Sequence, residues 1–272
     1  MLSQACCICL IIASASCGHK AADPVGSNTL SMEIDSVYVC DSITDQSGIK
    51  ITTSLSIVYP SKFMTTKAQT DILAGLISDA VFNIKETDFS KVAKGVVDDR
   101  LASYSLTQNG IDDSQEDETV PISRYDIHQS VGIAYHNFDI LCIEKKSATI
   151  KDHKPSLSSS AFYSFDLIGK KRIALSDIFS DSDIPQINDL IKKQLLSKEK
   201  CGNTDQLADI GYFNVDNLSA TDNFTLSDKG IIFHYNPLEI ACYAVGAVNI
   251  LIPFSDIEQY VLEQSPIARI IK

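Results

Sequence analysis

The stretch Ile49-Lys50-Ile51-Thr52-Thr53-Ser54-Leu55-Ser56-Ile57-Val58-Tyr59 decides the fold class. Its Ile49, Ile51, Thr53, Leu55, Ile57 and Tyr59 alternate with Lys50, Thr52, Ser54 and Ser56, the period-two pattern of a strand with one buried face. Asp45-Gln46-Ser47-Gly48 reads as a turn, and Ile34–Asp41 as the strand before it. Downstream the period changes. Thr66 and Gln69 form a capping-box pattern ahead of a helical stripe of Ile72, Leu73, Leu76, Ile77, Ala80 and Val81. A second stripe runs through Phe89, Val92, Ala93, Val96, Val97 and Leu101, with Asp88 placed to cap it.

Working outward, Gln108–Thr119 is polar and acidic, with Asp112, Asp113, Glu116, Asp117 and Glu118. It reads as a solvated loop, because its spacing does not fit an EF-hand calcium loop. Strand patterns resume through Tyr125, Ile127, Val131, Ile133 and Tyr135. A turn near His136-Asn137 leads to Phe138–Lys145, with further strands at Ala148–Ile150 and Ala161–Ile168. Ile184, Ile187, Leu190, Ile191 and Leu195 mark a third helix ending before Gly202. Gly230–Tyr235 and Ala247–Pro253 read as strands, and a last helix is expected from Ser255 to before Pro266, with Glu258 completing a capping box. Strands and helices come in groups rather than in strict alternation. The expected class is therefore α+β, mostly antiparallel sheets packed with a few amphipathic helices.

The N-terminus bears on the compartment. An apolar run from Ala5 to Ala15 ends in Ser16-Cys17-Gly18. The run has the length of a signal-peptide core and falls short of the roughly 20 residues that span a bilayer. Small residues before the cysteine suit the peptidase that processes bacterial lipoproteins and resemble the relaxed sites of Bacteroidetes lipoproteins. Residues 1–16 are thus expected to be a signal peptide and Cys17 the lipidated N-terminus. Residues 17–31 would form a flexible tether, 32–155 an N-terminal α+β domain and 156–272 a C-terminal domain. Such a chain is exported and anchored in the cell envelope, at the outer membrane, on its periplasmic or its surface side.

Of eight cysteines, Cys6, Cys7 and Cys9 lie in the leader. Cys40, Cys142, Cys201 and Cys242 are widely spread without metal-ligand spacing. Outside the cytosol they could pair as disulfides or remain small buried thiols. The formal net charge of −12 argues against non-specific nucleic-acid binding, which needs cations to displace phosphate counterions, and is compatible with cationic partners.

The residues Thr225-Leu226-Ser227-Asp228-Lys229-Gly230-Ile231-Ile232-Phe233, continuing His234-Tyr235-Asn236-Pro237-Leu238-Glu239-Ile240-Ala241, are followed by Tyr243, Gly246 and Ile252-Pro253-Phe254-Ser255-Asp256-Ile257. Upstream stand Phe165-Asp166-Leu167, Gly169-Lys170 and Leu175-Ser176-Asp177-Ile178-Phe179. Together, over about residues 162–262, these resemble the extracellular domain of unknown function at the C-terminus of RsiV-type anti-sigma factors, a domain also found in Bacteroidetes lipoproteins. Residues 32–150 resemble the domain that precedes it, found too in PdaC-type peptidoglycan deacetylases. Members of that family carry a Gly-Gly-Ala-His turn between the two; here it reads Lys151-Asp152-His153-Lys154-Pro155, with only His153 in correspondence. No cytoplasmic segment fits ahead of Cys17 and no catalytic domain follows before Lys272. The resemblance therefore implies a recognition module, which in the RsiV branch binds lysozyme, a strongly cationic protein.

No nucleophile elbow, zinc-protease helix or phosphate loop is present, and no catalytic residue, metal site or cofactor is expected. His128 and His136 share one face of a strand but would sit roughly 27 Å apart along it, too far for one metal. His234 with Glu239 offers a conceivable acid–base pair, but nothing supplies a nucleophile. The expected ligand-contact residues are His153, Tyr235, Asn236, Glu239 and Tyr243. The resulting reading is a non-enzymatic envelope lipoprotein that binds a protein or glycan, with lysozyme as the narrow version. The rival readings are an envelope hydrolase acting on peptidoglycan and a structural envelope lipoprotein. Mass spectrometry of the mature protein from its own cells should find an acylated Cys17 as the first residue; an unprocessed Met1 terminus would remove the anchor.

Overall fold

The computed structural model describes residues 32–63, 66–106, 122–137 and 139–271. The leader, Cys17, the tether and the acidic loop at 108–119 lie outside the described residues. Among them no helix is long and apolar enough to cross a membrane.

The chain orders as β1 (Met32–Thr44), β2 (Lys50–Phe63), α1 (Lys67–Phe82), α2 (Phe89–Leu106), β3 (Arg124–Asn137), β4 (Ile140–Lys151), β5 (Lys154–Asp166) and β6 (Lys171–Ile173). After these come α3 (Ile184–Glu199), α4 (Thr204–Asp209), β7 (Phe224–Ser227), β8 (Gly230–Tyr235), β9 (Val248–Pro253), α5 (Phe254–Ile257) and α6 (Ala268–Ile271). The first six strands pair in sequence order in one sheet, and β7-β8-β9 form a second. The expected α+β class with largely antiparallel sheets is what the structure shows.

Two units divide the chain: residues 32–132 with 145–158, and residues 133–144 with 159–271. In the first, β1 and β2 form the hairpin expected from the Asp45–Gly48 turn. Gly48 takes a positive φ of 85° there, and the Asp45 carboxylate accepts the amides of Ser47 and Ile49, both at 2.9 Å. Strand β1 is the sheet's edge. On it Asp35 accepts the amide of Ser36 and Asp41 the amide of Ser42, each at 2.7 Å. Ile51, Thr53, Leu55 and Ile57 point inward as the alternation requires. Against β2 pack α1, burying Leu73, Ile77 and Val81, and α2, burying Val92, Val97 and Leu101. Thr66 caps α1 by accepting the Gln69 amide, and Asp88 accepts the Ser90 amide at 2.9 Å ahead of α2.

One pairing departs from the antiparallel pattern. β2 and β3 run parallel, Lys50 opposite Arg124 through Ile57 opposite Val131. Both helices lie in the connection between them, the long crossover that parallel neighbours demand. The expected strand at Ala148–Ile150 is the end of β4, which continues to a two-residue turn at Asp152-His153. Both residues have positive φ, 42° and 70°, the mirror-image geometry that matches strand twist. Ser123 supports the turn, its hydroxyl donating to the Asp152 carboxylate at 2.7 Å, and these bonds hold that carboxyl below its usual range.

In the second unit α3 buries Ile187, Ile191 and Leu195 and packs on β9. The core joins Phe224, Ile231, Phe233, Ile250 and Ile252 of the small sheet to Ile140, Cys142 and Ile173. The helix expected from Ser255 is instead the single turn α5 followed by a 3-10 turn at Glu258–Tyr260. Ser255 Oγ donates to Asp256 rather than closing a capping box. Beyond it, Val261 bridges to Phe179 and the Leu262 amide donates to the Ile178 carbonyl at 2.9 Å, so the backbone is committed elsewhere. Behind this turn α6 is tied down by Arg269, which reaches the buried Asp166 at 2.6 Å.

Gly230 sits where β8 meets β9 at Pro253. A Cβ there would collide with the Ile252 carbonyl oxygen and lie 2.9 Å from Pro253 Cα. Gly95, inside α2, faces open space. Opposite outcomes follow in urea titrations. Gly230→Ala should lower stability by about 2 kcal/mol or more through forced displacement, while Gly95→Ala should raise it by about 0.5–1 kcal/mol.

Candidate functional site

The expected contact residues divide between the units. His153 lies in the first, exposed at the β4–β5 turn. Tyr235, Asn236, Glu239 and Tyr243 lie in the second, at and after the end of β8.

Within that second group the roles separate by burial. Tyr235 is 4% exposed and belongs to the core. Its hydroxyl donates to the Ser219 carbonyl at 2.7 Å, and burial, with the charge of Glu239, pushes its pKa well up. It is therefore placed to hold the fold, not to meet a ligand at the surface. Asn236 is a connector. Its Oδ1 accepts the Ser160 amide at 2.7 Å, and its own amide and Nδ2 both donate to the Glu239 carboxylate, at 2.9 and 3.3 Å. Glu239 is thereby the brace of the turn that carries Pro237 and the positive-φ Leu238.

Asn223, just ahead of β7, completes the arrangement. Its Oδ1 accepts the Phe162 amide at 2.8 Å and its Nδ2 donates to the Ser160 carbonyl at 3.0 Å. Two asparagine side chains thus satisfy consecutive backbone groups of β5 in the way a neighbouring strand would. Neither residue type nor spacing announces this pairing. Asn223 was absent from the expected site because its partners lie about sixty residues away in sequence.

His234 is buried between these groups. Nδ1 faces Asn249 Oδ1 at 2.7 Å and Nε2 faces Asn236 Oδ1 at 3.2 Å, with the Phe162 ring edge-on at 5.2 Å between centroids. Asn236 is fixed in orientation by Ser160 and Glu239, so its Oδ1 presents an acceptor to Nε2. The imidazole is engaged with amides, and the Glu239 carboxylate bonds Asn236 rather than the ring. The acid–base pair considered from sequence is not assembled. Among the described residues no group of His, Cys, Asp or Glu is arranged to hold a metal. His128 bonds Ser54 Oγ through Nδ1 at 2.7 Å. Burial pushes His136 down against an opposing effect of Asp139.

Cys40, Cys142, Cys201 and Cys242 are all free thiols. Cys142 is buried, 3.2 Å from Ser164 Oγ, and burial pushes its thiol up, which suppresses the reactive thiolate.

Large apolar side chains reach solvent beside the turn that Glu239 braces. The backbone of residues 211–213 pairs with that of 240–242: the Phe213 amide donates to Ile240 at 2.9 Å and the Cys242 amide to Gly211 at 2.8 Å, with a bridge between Tyr212 and Ala241. Of nine large hydrophobic side chains exposed among the described residues, four belong to these segments and their flanks: Ile210, Phe213, Leu238 and Tyr243. Asp209 and Glu239 adjoin them, both exposed. Ile210 and Phe213 were not among the expected contacts, because a short helix followed by Gly211 reads as an ordinary turn.

Asn236→Ala should lower stability by about 2–3 kcal/mol by stranding the Ser160 amide and the His234 ring. Glu239→Gln, at an exposed brace, should cost under about 1 kcal/mol. Chemical denaturation of the pair distinguishes a clasp from a surface decoration.

With this geometry in view, the comparisons with known proteins concern the fold. Residues 176–255 match a family described as a protein of unknown function, DUF3298. A member of the DUF3298 family from Bacteroides fragilis NCTC 9343 superposes with a TM-score of 0.76 at 23% identity, covering 89% of this chain and 98% of that one. A DUF3298 family protein from Pseudomonas aeruginosa PAO1 gives 0.59 at 11% identity, covering 86% of this chain and 96% of that one. No curated protein sequence matches the chain. Residues 176–255 of this chain are a DUF3298 domain, set in a fold that solved DUF3298 proteins share along most of its length.

Proposed function

We propose that this protein is a non-enzymatic lipoprotein of the bacterial cell envelope, held at the outer membrane by acylated Cys17, that binds a protein or glycan ligand. The contact face in this reading is the apolar cluster Ile210, Phe213, Leu238 and Tyr243, and the observation that carries it is their exposure. Leu238, on the turn braced by Glu239 and Asn236, is 55% exposed, and Tyr243, on the turn that closes at Gly246, is 57% exposed. Rigid backing matters for binding, because side chains already held in place lose less entropy on association. Aromatic residues on such a face are the type enriched at protein interfaces.

Charge selects the class of partner. The chain carries a formal −12, and Asp209 and Glu239 border the apolar residues. A cationic protein is favoured over an acidic one, and lysozyme is the narrow version, supported by the likeness of the 225–257 motifs to RsiV-type domains. A binding rather than hydrolytic role is supported by His234, whose ring atoms face asparagine amides.

Lysozyme pull-down by the full chain is the test, run at low and at moderate salt. Capture should be strongest at low salt, where screening is least, and should fall by about tenfold or more in Phe213→Ser and Tyr243→Ser, with unfolding midpoints unchanged. Absence of capture at low salt removes lysozyme as the ligand. Capture indifferent to both substitutions removes the apolar face.

A further inference from the structure

The first unit contains a groove that the reading above does not use. It has a volume of ≈ 810 Å³ and lies beside the C-terminal end of α1, one side of α2, and the strands β3 and β4. That size is in the range of small-molecule sites. Lys145 enters it from β4, donating to the Val81 carbonyl at 3.0 Å and standing 5.0 Å from the Phe82 ring centroid. Arg100 enters from α2. Neither forms an ion pair among the described residues. Burial, and then the charge of Arg100, lower the Lys145 pKa, so the two cations burden each other.

An independent observation comes from the floor. Gln129 is 5% exposed and lines the groove. Its Nε2 donates to Ser147 Oγ at 3.1 Å, but its Oε1 is buried with no hydrogen-bond partner. A buried amide oxygen left unmatched costs about 1–3 kcal/mol, and a ligand donor is one way to recover it. Asp99, exposed, stands at the rim.

We propose that this groove binds a small hydroxylated carboxylate, of the sugar-acid class, with its carboxylate between Lys145 and Arg100 and a hydroxyl donating to Gln129 Oε1. The charges choose a carboxylate over a phosphate. Among the described residues, two cations and one rim carboxylate leave a single positive charge to neutralise, which a monoanion matches and a dianion exceeds. The paired cations supply the charge-assisted bonds that carboxylates accept. The hydroxyl is required by Gln129, because a simple carboxylate has no donor to give. Ring surfaces at Phe82 and Tyr104 suit the carbon faces of a sugar.

Calorimetric titration of the full chain in detergent with D-glucuronate, glucose and glucose 6-phosphate tests this. Glucuronate should bind saturably, glucose at least about tenfold more weakly, and glucose 6-phosphate more weakly than glucuronate. Arg100→Gln, which leaves the Lys145–Val81 bond in place, and Gln129→Leu should each weaken glucuronate by about tenfold or more. Thermal unfolding of both variants checks that they are folded, and Lys145→Gln adds a third reading if it folds. The proposal is overturned by absence of saturable glucuronate binding, by equal binding of glucose, by tighter binding of the phosphate, or by unchanged affinity in both folded variants.

Discussion

Two asparagine side chains, Asn223 and Asn236, fasten the backbone of β5 at Ser160 and Phe162, and the second unit depends on that attachment. Strand β6 pairs with β5 only at Ser164–Asp166. Ahead of that, the amides of Ser160 and Phe162 and the Ser160 carbonyl have no β6 partner, and leaving such a group unpaired on burial costs about as much as a lost hydrogen bond. The amides discharge it with side chains. In doing so they bring β8 against β5 without making the two sheets continuous. The rest of the turn follows: Glu239 holds Asn236, His234 fills the space beneath, and Tyr235 is driven inward to Ser219.

A second constraint is closeness of backbones. Gly230 admits β9 to a separation that a methyl group would forbid. Asp166 and Arg269 then fix the C-terminal segment from the other side, with Asp166 almost fully covered. A partly exposed guanidinium on a buried carboxylate gains more from the pair than two surface charges would, since solvent screens only one partner well.

Much of this was legible in the chain and some was not, for physical reasons. The alternation in Ile49–Tyr59 and the stripes at Ile72–Val81 and Ile184–Leu195 report burial directly, because periodicity is the geometry of a face. The parallel pairing of β2 with β3 was hidden, since alternation states which face is buried and not which neighbour lies alongside. The expected helix after Ser255 failed because a capping pattern is local, while Ile178 and Phe179 compete for the same backbone from far away. The site divided likewise. Glu239 and Tyr243 stand at the surface, as residues of turns commonly do. Tyr235 and Asn236 were drawn into structure by partners that no spacing reveals, and the exposed Ile210 and Phe213 flank Gly211 and Tyr212, whose pairing with Cys242 and Ala241 joins segments far apart in sequence.

Asp35 and Asp41 on β1 each occupy the following residue's amide with their own carboxylate. The sheet's other margin, β6, is only three residues long. A foreign extended segment approaching β1 would find the Ser36 and Ser42 donors engaged and two carboxylates in its path, which makes this edge, among the described residues, a poorer template for polymerisation. Each of those carboxylates thus works against edge-to-edge growth between copies while leaving the hairpin's inner face untouched.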